Sequence, residues 1–263
     1  MDILSAALLG LIQGITEFLP VSSSGHLILA RDLFQISSDN ALEFDVFLHL
    51  ATLLAIIFYF ASDLVKIIQA LFSQKSYQEK GISQNYLWFI ILGAIPAGVI
   101  GFFFGSLIED TLRGSRTVAL ALLAGSLLFW LAERAAKYNK TLTPRNSVLI
   151  GFFQSLAFIP GMSRSGGTIS GGLILGLNRS EAVRFSFLVG IPIMLGAGLK
   201  SIIDLPPGIS FSAFGLPVFI GGVVAFASGL ASIYFLVRYL KGHSLNAFII
   251  YRIALALVIL LVL

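Results

Sequence analysis

Gln13, Glu17, Ser22, Ser23, Ser24 and His26 fall within one short stretch, QGITEFLPVSSSGH, and offer an amide, a carboxylate, three hydroxyls and an imidazole. Gln13 and Glu17 are four residues apart, so on a helix they share a face and could jointly hold a cation or fix a polar head group. Pro20 breaks the helix, and the serines with Gly25 then open the next one, where free backbone N–H groups and the helix dipole favour an anion. A serine there is also an ordinary N-cap. His26 lies three residues beyond Ser23, so both can project from one face, and imidazole suits proton transfer to or from a serine or a leaving group.

A second stretch, QSLAFIPGMSRSGGT, echoes the first. Shifted by 141 residues, Gln13 falls on Gln154, Ser22 on Ser163, Ser24 on Ser165 and Gly25 on Gly166, with the prolines displaced by one position. This copy adds a fixed positive charge, Arg164, between Ser163 and Ser165 and four residues before Thr168. Guanidinium is the side chain for bidentate recognition of phosphate. An arginine at a membrane interface can also snorkel to water, but these neighbours are small and polar rather than lipid-facing. The expected anion-binding set is Ser22, Ser24, Ser163, Arg164, Ser165 and Thr168. Glu17 and Arg164 should converge, each offsetting the cost of burying the other.

The elements that must position these residues are greasy. Hydrophobic residues make up 57% of the 263, charged residues 11%, and the mean hydropathy is +0.95, which places the chain among polytopic membrane proteins. The +4 formal charge therefore matters by its position rather than its total. With no cysteine there is neither a disulfide framework nor a thiolate metal site. The N-terminus lacks the basic region of a cleaved signal and reads as mature sequence.

Residues 1–30 and 147–177 are apolar but interrupted, too broken for a bilayer that needs about 20 apolar residues, and read as re-entrant hairpins. Spans are expected at roughly 43–61, 86–107, 118–133, 185–203, 213–236 and 246–263. The linker from Asp63 to Gln84 begins as an interfacial helix, LVKIIQALF. The expectation is an all-α polytopic membrane protein of about six transmembrane helices plus two re-entrant helical hairpins, in halves of approximately 1–140 and 141–263. Phe44 and Asp45 fall on Phe185 and Ser186 at the same shift. An odd number of spans between the copies inverts one relative to the other, and inverted-topology repeats place a site near the midplane.

Lys66, Lys75, Lys80, Arg134, Lys137, Lys140, Arg145, Arg179, Arg184, Arg238 and Lys241 collect on one flank, eleven against the four of Arg31, Arg113, Arg116 and Lys200. The richer flank is cytoplasmic by the positive-inside rule, with both termini outside. Asp45 and His49 could line the cavity or simply be hydrogen-bonded in the packing, His243 reads as solvated, and the 23 phenylalanines as packing and lipid contact. No HExxH, P-loop or dinucleotide fingerprint occurs.

QGITEFLPVSSSGH and PGMSRSGGT together resemble the two signatures of the bacterial undecaprenyl pyrophosphate phosphatases of the bacitracin-resistance type: (Glu/Gln)xxxGlu with Ser-Ser-x-Gly-His, and Pro-Gly-x-Ser-Arg-Ser-x-x-Thr. The resemblance extends through FLHLATLLA and RFSFLVGIP to the end of the chain. It implies hydrolysis of a C55 isoprenoid pyrophosphate to the monophosphate, recycling the cell-wall lipid carrier with a divalent cation, Mg²⁺ or alternatively Ca²⁺. Carried over by motif, Glu17 and Gln13 would hold the metal, with Glu17 the principal ligand because Gln13 is a neutral amide. Ser23 would attack phosphorus, His26 would take its proton and Arg164 would bind phosphate. Direct attack by water activated by His26 or Glu17 is the variant.

The implied setting is the bacterial inner membrane with access from the periplasmic side. The implied partners are the polyprenyl pyrophosphate and membrane lipids, and no nucleic acid; whether copies join in a homo-oligomer is left open by the sequence. Another large family of lipid-phosphate phosphatases needs a nucleophilic histidine soon after its Ser-Arg pair, and none occurs here before His243. The alternative class is a lipid or small-molecule transporter or flippase, because inverted repeats with paired hairpins are also transporter architecture.

Overall fold

A computed structural model describes residues 1–36, 41–72, 83–112, 114–204 and 215–262. Within them the chain forms eleven α-helices: α1 Ile3–Phe18, α2 Ser23–Phe34, α3 Ala41–Tyr59, α4 Ala61–Phe72, α5 Tyr86–Leu112, α6 Ser115–Ala135, α7 Pro144–Ser155, α8 Arg164–Ile174, α9 Arg179–Ile203, α10 Gly215–Gly242 and α11 Asn246–Val262. The described elements are all helical and the chain is polytopic, as its hydropathy dictates. Lys75, Lys80 and Arg113 of the two charged flanks lie outside the described residues, as do residues 73–82 of the Asp63 to Gln84 linker, the first two residues of the span expected at 213–236, and residue 263.

Among the described residues, four helices are long and apolar enough to cross a membrane: Tyr86–Gly105 within α5, then α6, α9 and α10. The other two expected spans differ. The first joins α4 at a 67° bend, so 43–61 is one limb of a bent pair, and α11 is a shorter apolar helix. The bend falls at Phe60, three residues ahead of the polar Asp63 in the first turn of α4.

The two interrupted stretches fold as expected from their punctuation. Asp2 caps α1, accepting from Ser5 N at 2.9 Å, and Thr143 caps α7, accepting from Asn146 N at 3.2 Å with Pro144 at the first helical position. Both helices end ahead of a proline. Leu19 before Pro20 (φ −64°, ψ 141°) and Ile159 before Pro160 (φ −79°, ψ 111°) are extended, the conformation that a following proline ring imposes. α7 gains one 3-10 turn, Leu156–Phe158, before it stops. Each hairpin then reverses into a second short helix, α2 or α8.

Close helix contacts set the frame. α1 packs along α10, α7 along α5, α3 against α9 and α6 against α11. Gly10 and Gly14 of α1 face the backbone of α10 so closely that a Cβ would lie 2.2 Å from Gly221 O and 2.4 Å from Ala225 O. This is the small-residue seam by which membrane helices approach without a hydrophobic drive between them. Phe44 and Phe185, matched at the 141-residue shift, are both buried.

Polar locks close one end of the bundle. Glu133 at the end of α6 accepts from both terminal nitrogens of Arg179 at the start of α9, and from Leu245 N at 2.7 Å. Arg184 pairs with Asp63 at 2.9 Å. Arg179, Arg184 and the Asp63 linker belong to the flank that the sequence makes rich in lysine and arginine.

Candidate active site

The two polar stretches meet, and their turns are built alike. Ser22 caps α2 with φ 76° and its Oγ accepts from Gly25 N at 3.4 Å; Ser163 caps α8 with φ 72° and accepts from Gly166 N at 3.3 Å. Ser24 Oγ lies 3.4 Å from Ser22 Oγ, and Ser165 Oγ lies 3.2 Å from Ser163 Oγ. Positive φ at a serine costs on the order of 1–3 kcal/mol, and such strain gathers where a site must hold a shape. Gly161 (φ +106°) completes the second turn.

Between the turns sits Glu17, buried at the end of α1. Ser23 Oγ donates to Glu17 Oε2 at 2.7 Å, Arg164 Nη2 donates to Oε1 at 3.0 Å, and Gln13 Nε2 donates to Oε2 at 3.2 Å. Residues 147 positions apart thus form one cluster, and the expected convergence of Glu17 and Arg164 is what the fold produces. Arg164 Nη1 is buried with no partner among the described residues, leaving one arm of the fork unspent.

Two expected members behave differently. His26, expected to serve Ser23, has both ring nitrogens engaged elsewhere: Nδ1 lies 2.7 Å from Ser22 O, and Nε2 2.6 Å from Tyr251 Oη. A carbonyl can only accept, so Nδ1 carries the proton, and Nε2 accepts from the Tyr251 hydroxyl when the ring is neutral. The proton acceptor that Ser23 touches is Glu17. Thr168, expected among the anion ligands, is buried and its hydroxyl donates to Arg164 O (2.9 Å) and Ser165 O (3.1 Å), with Ser186 Oγ also in contact. It braces the start of α8 against α9.

His49, which the sequence places either at the cavity or in the packing, joins the site. Its Nε2 lies 3.7 Å from Glu17 Oε2, while Nδ1 lies 2.8 Å from Asp45 O. Asp45 instead pairs with Arg31 at 2.5 and 3.0 Å. Only the i, i+4 spacing from Asp45 hinted that His49 shares a face with an acid.

The site depends on an absent side chain. A Cβ at residue 190 in α9 would lie 1.7 Å from Arg164 Nη1. Gly190→Ala is expected to lower kcat/KM by about 10- to 100-fold by displacing the guanidinium, since a misplacement of about 1 Å can cost 10²-fold. Alanine favours a helix interior over glycine by about 1 kcal/mol. Thermal unfolding of the purified variant should therefore show a retained fold alongside the lost rate; normal kcat/KM would show that Arg164 has room to move.

Fold and cluster define a polytopic membrane protein with a split polar site made from two broken helical hairpins, its serine, carboxylate and guanidinium suited to an anionic phosphate group. The family model for bacitracin resistance protein BacA matches residues 6–258, and the chain belongs to that family. It is 40% identical to undecaprenyl-diphosphatase 1 of Corynebacterium jeikeium (strain K411) over 98% of this chain and 94% of that protein. Similarity to the undecaprenyl-diphosphatase of Mycolicibacterium smegmatis is 40% identity over 99% and 96%, and to that of Myxococcus xanthus 36% over 100% and 90%.

Proposed function

We propose that this protein is an integral-membrane undecaprenyl-diphosphatase, releasing inorganic phosphate from undecaprenyl pyrophosphate. The observation that carries the reading to these residues is the Ser23–Glu17–Arg164 contact, which joins both family motifs in one buried cluster.

Ser23 Oγ attacks the terminal phosphorus while Glu17 takes its proton. The new bond is Oγ–P; the bond broken joins that phosphorus to the bridging oxygen, which leaves with the lipid monophosphate. Water then hydrolyses the phosphoserine. Arg164, with the N–H groups at the starts of α2 and α8, binds the phosphoryl oxygens as charge shifts to the leaving group. Ser22, Ser24, Ser163 and Ser165 shape those turns and stand as phosphate contacts, whereas Thr168 supports Arg164 from behind.

The residues present fit a divalent cation shared with substrate. No group of three His, Asp or Glu side chains forms a cage among the described residues, but Glu17 is joined by Gln13, whose Oε1 is buried without a partner. Mg²⁺ is commonly held by one or two protein carboxylates plus substrate phosphates. Glu17 and Gln13 would hold it, and it would supply charge neutralisation at the pyrophosphate.

The direct test is phosphate release from a short-chain prenyl pyrophosphate in detergent. Release should fall to background with excess chelator and return with Mg²⁺; no release under any divalent ion would sink the phosphatase reading. A quenched reaction should yield phosphoserine at Ser23, whereas near-normal turnover by Ser23→Ala would assign attack to water. The lysine and arginine distribution supports an orientation with the richer flank cytoplasmic, and the family resemblance supports the bacterial inner membrane with access from the periplasmic side. Matching caps and turns at a shift of 141 residues support a repeat in two halves, approximately 1–140 and 141–263, and an odd number of spans between the copies supports their inverted topology.

A further inference from the structure

Arg252, in the middle of α11 and outside both motifs, is completely buried and has no carboxylate partner among the described residues. Its Nη2 donates to Gly161 O at 2.9 Å, Leu122 O at 3.2 Å and Ala121 O at 3.4 Å, and its Nη1 to Pro20 O at 3.4 Å. The guanidinium carbon lies 4.7 Å from the centre of the Phe129 ring. It fits because residue 125 is glycine: a Cβ there would lie 2.1 Å from Arg252 Nη2.

Pro20 and Gly161 each stand three residues ahead of a reacting side chain, Ser23 and Arg164. One rigid fork therefore spans the turns of both hairpins. Next to it, Tyr251 holds His26 of α2. Burying a guanidinium costs several kcal/mol, and well-packed apolar side chains fill such a site at no loss of stability. A role in packing alone gives no reason for the charge, whereas aligning two turns does: a planar fork can serve several carbonyls at once, which a single ammonium cannot.

We propose that Arg252 is a positioning residue that holds the Pro20 and Gly161 turns in register, so that Ser23 and Arg164 meet at Glu17, making α11 a third part of the active site. The inference rests on the phosphatase reading for its kinetic consequence, though not for its structural one. Arg252→Lys should lower kcat by about 30- to 100-fold, the size expected for a small misalignment of reacting groups, with KM within about threefold. Hydrogen exchange should quicken together in the segments around residues 18–24 and 159–165, while α3 and α9 keep their protection. Gly125→Ala, which crowds the same guanidinium, should give the same pattern, and the double variant should lose little more than either single one.

A kcat within threefold of the unaltered protein would overturn the proposal. So would faster exchange at one turn only, at neither, or throughout the bundle in step with a fallen Tm. If Arg252→Lys does not fold, Gly125→Ala decides by the same criteria. If the unaltered protein releases no phosphate, the phosphatase reading fails by itself, and the paired exchange of the two turns still decides the role of Arg252.

Discussion

Glu17→Gln is expected to lower kcat for phosphate release by about 10³-fold, within the 10²- to 10⁴-fold span of general-base catalysis. The substitution keeps the shape of the side chain and removes its charge. Ser23 Oγ, 2.7 Å from Oε2, loses the only acidic acceptor it touches among the described residues, and an amide cannot take its proton. Arg164, 3.0 Å from Oε1, loses its partner but not its charge. A buried unpaired cation favours an incoming anion, so at saturating Mg²⁺ KM should stay level or fall while kcat collapses. That split separates loss of the base from general damage to the site, which would raise KM. A loss of kcat below tenfold would remove Glu17 from the chemistry.

Arg164→Lys is expected to cost about 10²- to 10³-fold in kcat/KM, comparable to removing a preorganised donor from a charge-stabilising site. Charge is conserved, so any loss measures geometry. The guanidinium binds Glu17 with Nη2 and keeps Nη1 unspent, whereas one ammonium must choose between the carboxylate and the phosphate. Inhibition by a non-hydrolysable prenyl bisphosphonate should weaken in parallel with kcat/KM. If Arg164→Lys hydrolyses within fivefold of the unaltered protein, the fork is not what binds the phosphoryl group.

Local signals in the sequence translated directly into structure. Ser22 and Ser163 cap helices, and Pro20 and Pro160 end them, because capping and proline strain act within about one turn of chain. Spans followed hydropathy where a helix runs straight, and departed from it at the α3–α4 bend. The convergence of Glu17 and Arg164 was also legible, since a repeat of polar interruptions in an apolar chain leaves few places for two opposite charges to be buried except together.

The assignment of partners was not legible. His26 three residues after Ser23 satisfies a same-face rule, yet Ser23 is the first residue of α2 and turns back to α1, while His26 reaches α11, 225 residues away. Thr168 sits in the family motif but spends its hydroxyl on its own helix and on Ser186. His49 and Arg252 lie in apolar helices outside the motifs, and each acquires its role from the helix packed against it. The sequence alone determined the membrane class, the chemistry of the two stretches and where their helices start and stop, because these depend on hydropathy and on neighbours within a turn. Only the tertiary structure decided that Glu17 faces Ser23, that α11 underpins both turns and that Gly190 and Gly125 make room for two guanidinium groups, because contacts between helices are set by how those helices cross and rotate.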